Sequence, residues 1–203
     1  MTTRREFLQA GIAVPLAAGV FASDKPAAPG YASNARPAAL SFYKAVFDER
    51  FPESVTFAAE MRRLGIATHG IVGDMTDLWY HDLYPQWMKT PVPIAGLTAH
   101  GPMFCLERLA WDHGMRVVFR AEHRFRPDGC VEHVISAGES VLNDAAALRA
   151  AGSNWSAHVA GLVNRCSPGR IETWPAIVTG LGQQPPTEQD PLYSWVIAPR
   201  ARS

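Results

Sequence analysis

The chain has few cysteines, no excess of either charge and no long uninterrupted apolar run. Three cysteines in 203 residues form an odd, sparse set, which excludes a disulfide-built scaffold. None belongs to a Cys-x-x-Cys pair, a Cys-x-x-Cys-His haem attachment or an iron–sulfur spacing, and none is flanked like a catalytic nucleophile. Also missing are Gly-x-Gly-x-x-Gly, the phosphate-binding loop and the Gly-x-Ser-x-Gly elbow. Nineteen basic residues balance nineteen acidic ones, so the electrostatic footprint of a nucleic-acid or anionic-membrane binder is absent. What remains is a composition 47% apolar and 19% charged, sufficient to bury a core in one domain rather than two. Sixteen prolines and sixteen glycines call for many turns and short elements. No internal repeat accompanies them.

Near the start, Thr3-Arg4-Arg5-Glu6-Phe7-Leu8-Gln9 precedes an uncharged, weakly apolar run from Ala10 to Ala22. The Arg4-Arg5 pair, the following Phe7-Leu8 and the run together resemble a twin-arginine export leader. The resemblance covers roughly a tenth of the chain, but its motif is specific. It implies passage through the twin-arginine translocase, cleavage near Ala22 and a periplasmic mature protein. A stable membrane span is not expected, because Gly11, Pro15 and Gly19 interrupt a run already short of the ~20 residues needed. Residues 23–39, with three prolines and almost no large apolar side chain, read as a flexible tether. A single α/β domain should then occupy residues 40–199.

Within that domain, strand and helix signals alternate. Residues 42–47 and 66–72 read as strands, separated by a helix that opens at Pro52 and stops at Gly65. Thr76 should cap a short helix broken by Pro85. A third strand at 92–97 leads to a helix over roughly 102–113. This β-α-β-α-β-α series implies a parallel core with helices on both faces, a three-layer α/β architecture. An antiparallel hairpin follows, turning at Arg126-Pro127-Asp128-Gly129, a type I turn with a following bulge. Burial then favours pairing Arg126 with Cys130, Phe125 with Val131, and His123 with His133. Val117, Phe119, Ala121 and Phe125 should share one face with Val131 and Ile135. Helices at 141–151 and 155–165 and a C-terminal strand at 192–198 complete a mixed sheet.

Three places have the residue types for chemistry or recognition. Asp48, Asp74, Thr98 and His100 fall at the carboxyl ends of the parallel strands, where open α/β sheets bind ligands. There a carboxylate could serve as base, and Thr98, His100 and free helix amides could hold an anion, although capping alone would also explain Thr76 and Thr98. His123 and His133, directly opposed, could share a metal ion, but zinc needs further ligands and no supporting motif supplies them. Trp79, Tyr80, Tyr84 and Trp87 place four large aromatics in nine residues, more than one buried helix face requires. Trp79, Leu83 and Trp87 fit a core stripe, which leaves Tyr80 and Tyr84 for a partner surface. Cys105 should be a small buried residue, and Cys130 and Cys166 could meet in an oxidising compartment.

Twin-arginine substrates generally cross the membrane folded, often carrying a redox cofactor or bound to a protein that does. With no cofactor motif of its own, the chain is expected to be an accessory subunit of an exported oxidoreductase or similar complex, bound to a larger protein. A stand-alone exported binding protein or hydrolase-type enzyme using Asp48, Asp74, Thr98 and His100 is the alternative.

Overall fold

A computed structural model describes residues 39–167, 171–173, 175–181 and 190–200. The leader, with Arg4, Arg5, Phe7 and Leu8, and nearly all of the tether lie outside the described residues.

Among the described residues, eight strands, β1 (Lys44–Asp48), β2 (Thr68–Ile71), β3 (Ile94–Thr98), β4 (Met115–Arg126), β5 (Cys130–Ala137), β6 (Glu172–Thr173), β7 (Ile177–Gly180) and β8 (Leu192–Pro199), form one mixed sheet, in the order β2-β1-β3-β8-β4-β5-β6, with β7 pairing the far end of β5. Strands β1, β2 and β3 are parallel. Helix α1 (Pro52–Arg63) connects β1 to β2 and begins, as expected, with proline in its first turn. There the missing N–H deprives no carbonyl of a partner. Gly65 closes the helix at φ 82°, a left-handed conformation that costs glycine little.

The connection from β2 to β3 departs from the expected short, broken helix. Thr76–Leu78 (α2) runs into a π-helical stretch, Trp79–Leu83, and then into α3 (Tyr84–Lys89), with Pro85 in the first turn of α3. Proline therefore restarts the helix rather than ending it, and the wide turn absorbs the lost hydrogen bond. Helix α4 (His100–Asp112) follows β3.

Strands β4 (Met115–Arg126) and β5 (Cys130–Ala137) form the hairpin, in the register with His123 opposite His133 and Arg126 opposite Cys130. Gly129 takes φ 75° at the turn. One expectation fails on β4. A register shift between Val117 and Phe119 reverses the alternation, so Met115 and Val117 face one side of the sheet while Phe119, Ala121 and His123 face the other. A bulge does this because two successive residues then oppose one on the partner strand.

Helix α5 is shorter than expected, Glu139–Ala145, and continues as a 3₁₀ turn at Ala146–Ala150 before α6 (Trp155–Asn164). Two short strands absent from the sequence reading, β6 (Glu172–Thr173) and β7 (Ile177–Gly180), pair with β5. The last strand, β8 (Leu192–Pro199), inserts antiparallel between β3 and β4. The result is a three-layer mixed α/β fold. One core lies under α1, α5 and α6 and includes Phe57, Leu97, Phe119, Leu142, Trp155 and Val196. The other lies under α2, α3 and α4 and includes Leu78, Trp87, Met103, Leu106 and Trp195. Among the described residues no helix is long and apolar enough to cross a membrane.

Candidate functional sites

Helices α1 and α4 leave β1 and β3 toward opposite faces, so the carboxyl ends of these adjoining strands form the topological switch point of the parallel segment. Phe47 pairs with Leu97, which puts Asp48 and Thr98 one step further along on adjoining strands. Both side chains are fully buried, and both are occupied. Asp48 accepts from Arg50 Nε at 2.8 Å and Arg50 Nη2 at 2.7 Å, a two-point clamp. The Arg50 guanidinium also lies against Gly73, where a Cβ would come within 2.7 Å of its Cζ.

Thr98 Oγ1 donates to the Ala99 carbonyl at 2.9 Å and accepts from the Trp195 indole at 3.2 Å. Asp74 accepts from the Thr76 backbone N–H at 2.8 Å and from the Thr76 hydroxyl at 2.6 Å. These bonds hold its carboxyl below the usual carboxylate range. Asp74 thus shapes the turn, while Thr76, expected as the cap, supplies the donors. His100 begins α4 with its ring stacked on Phe104 and edge-on to Tyr193, at centroid distances of 5.8 and 5.2 Å.

The histidine pair is buried and hydrogen-bonded at every ring nitrogen. His123 Nδ1 and His133 Nδ1 lie 2.7 Å apart in full burial. The other ring nitrogens reach Ser194 Oγ at 2.8 Å and Thr179 Oγ1 at 3.1 Å respectively. Thr179 Oγ1 lies 2.6 Å from the Leu148 carbonyl oxygen. A carbonyl only accepts, so the single Thr179 proton points to Leu148 and fixes every bond behind it. His133 must donate from Nε2 to Thr179 and accept at Nδ1. His123 then donates from Nδ1 and accepts at Nε2 from the Ser194 hydroxyl.

Trp155 covers both imidazoles at centroid distances of 4.5 and 5.1 Å. Burial pushes His133 down to about 4. Burial first, and the neighbouring His133 second, hold His123 well below the ordinary imidazole range. Both rings are therefore neutral near pH 7.

The pair does not fit a metal centre. Two nitrogens on one tetrahedral zinc stand roughly 3.4 Å apart, whereas 2.7 Å is hydrogen-bond geometry. Among the described residues no group of three or more His, Cys, Asp or Glu side chains could hold an ion. The contact order Ser194–His123–His133 does match that of an activated serine, but Ser194 is fully buried beneath its neighbours.

On the α2–α4 side, Trp79, Leu83 and Trp87 turn into the core as one stripe, which takes two of the segment's four aromatics out of any partner surface. Tyr80, Tyr84 and Met88 face outward with 64%, 44% and 62% of their surfaces exposed. The i, i+4, i+8 spacing that sets Met88 in line with the tyrosines is present in the sequence, but a count of aromatics does not point to it. Trp79, Tyr84 and Trp87 also pack around the His113 ring, at 5.9, 6.2 and 5.7 Å between centroids. On α4, exposed Phe104 and Trp111 hold the Arg108 guanidinium between them, 5.0 and 4.2 Å from the ring centroids. Cys105, expected inside, is exposed on the same helix, and Cys130 and Cys166 are both free thiols.

No protein-family model matches the chain, and neither a curated protein nor a solved structure matches it.

Proposed function

We propose that the protein is an exported accessory subunit that docks on a larger protein, such as a periplasmic oxidoreductase, and carries no cofactor of its own. The observation that carries this reading is the outward stripe of Tyr80, Tyr84 and Met88, whose exposed faces core packing does not use. Large aromatics and methionine are enriched where proteins meet partners. The Arg4-Arg5-Phe7-Leu8 leader supplies the second support, because twin-arginine substrates often travel folded with a partner. The alternative, a stand-alone enzyme or binding protein at the strand ends, draws less support. Asp48, Asp74 and Thr98 already spend their polar atoms on Arg50, Thr76, Ala99 and Trp195.

Capture from the native periplasm with the tagged mature protein tests the proposal. The double variant Tyr80→Ala/Tyr84→Ala should lose the captured partner, while Val72→Ala, at another exposed apolar position, should keep it. Equal capture by all three proteins would refute the stripe as the docking surface.

A further inference from the structure

The chain from Ser194 through His123, His133 and Thr179 to Leu148 joins four separate pieces of structure: β8, the β4–β5 hairpin, β7 and the 3₁₀ turn at Ala146–Ala150. Its hydrogen bonds run in one direction, and each ring nitrogen is used. One added proton breaks this order. On His133 Nδ1 it would set two N–H groups against each other across 2.7 Å. On His123 Nε2 it would force the Ser194 hydroxyl to turn away from its only partner among the described residues.

Nothing nearby neutralises the resulting imidazolium. Glu122, Arg124 and Glu132, the strand neighbours of the histidines, lie on the opposite face of the sheet, where Arg124 binds both acids. From β8 the pair meets Ser194, and from β7 it meets Thr179. From α6 it meets the Trp155 ring, which offsets only part of a buried charge. His158 of α6 is exposed and bonded to the Asn154 carbonyl. Arg149, beside Leu148, is exposed, and Arg165 pairs with Asp144 at the surface.

The pieces are not equally held. β4 and β8 run side by side for most of their lengths, whereas β7 has four residues and pairs with β5 alone. Ile177 of β7, opposite His133, also lines a surface recess with Ala146, Arg149 and Pro175. The charged pair is relieved most cheaply on this side.

We propose that the buried hydrogen-bond chain is an acid-operated latch: protonation of the histidine pair releases β7 and the Ala146–Ala150 turn from β5 while the remaining sheet stays folded. If the released state returns His133 alone to ordinary basicity, opening becomes roughly a hundredfold more frequent between pH 7 and pH 4.

Hydrogen exchange and side-chain nitrogen NMR on the full protein test this. At pH 7 the spectra should show His123 protonated at Nδ1 and His133 at Nε2, both neutral. Protection factors for Val178–Gly180 should fall about a hundredfold from pH 7 to pH 4, while those of Ala95–Leu97 in β3 hold. Thr179→Val, which cuts the outer anchor but adds no charge, should loosen β7 already at pH 7. The latch is wrong if either imidazole is charged at pH 6, or if β7 and β3 lose protection together at pH 4.

Discussion

Gly96 and Trp195 act as one unit. They are paired across β3 and β8, and a Cβ at Gly96 would come within 2.3 Å of the indole. With glycine there, the indole can lie close against the strand, and its N–H reaches Thr98, so the switch point is shaped from beneath by a missing side chain. Gly96→Ala should cost about 1–3 kcal/mol, read as a lower denaturation midpoint with unchanged slope. A shift under a few tenths of a kcal/mol would mean that the indole moves aside freely. Thr179→Val removes the acceptor for His133 and the donor for Leu148, both buried. It should cost about 1–3 kcal/mol in the same assay.

Some of this was legible in the sequence. His123 and His133 could be set face to face because the Pro127-Asp128-Gly129 turn fixes the local register. Their real partners were not legible: Thr179 and Ser194 come from strands far along the chain, and which strands meet is decided by tertiary packing. The same applies to Asp48, whose type and position suggested chemistry but whose clamp by Arg50 is a matter of side-chain geometry.

At the level of elements, strongly periodic or turn-bounded segments were readable and irregular ones were not. The parallel β-α-β series, the hairpin and the last strand follow from alternation and from Gly and Pro at fixed positions. Hidden were the bulge between Val117 and Phe119, the π-helical stretch before Pro85 and the short β7. Each trades a local preference for a packing gain that only the assembled sheet provides. The hairpin also sets the acid response. The buried His133 binds its proton with a pKa of about 4 when folded against 6.5 ordinarily, so below pH 6.5 the unfolded chain takes up more protons than the folded one. Stability contributed by this neutral ring is complete above about pH 6.5 and is lost as the pH falls toward 4. For His133 alone the loss is roughly 3 kcal/mol. Urea titrations at pH 7, 5.5 and 4 should trace that decline, and the double variant His123→Phe/His133→Leu should flatten it. A decline of equal size in the variant would assign it to other groups.

For the molecule as a whole, balanced charge leaves recognition to shape and aromatic surface. Tyr80, Tyr84 and Met88 project from one helical segment, while Trp79 and Trp87 of the same segment anchor it to the core. The proposed docking and the folding of this segment would therefore use different side chains of one element. Tyr80→Ala/Tyr84→Ala should change stability by less than about 1 kcal/mol, since Tyr80 is largely in water and Tyr84 touches the core only along the edge of Trp79 and His113. A larger loss would show that the stripe serves the fold. Alternation of strands and helices was enough to place this segment on the sheet face. Its outward use was only half visible, because aromatic surplus marks a surface without stating which rings reach it.

The proposed accessory subunit works bound to another protein. The native mass of the untagged protein in a gently prepared periplasmic fraction tests it most directly, by size exclusion with light scattering. The expected result is elution in a complex well above the 22.2 kDa of the full chain, shifting to the free mass in the Tyr80→Ala/Tyr84→Ala variant. Elution of the wild-type protein as a free monomer at its native abundance would contradict the account.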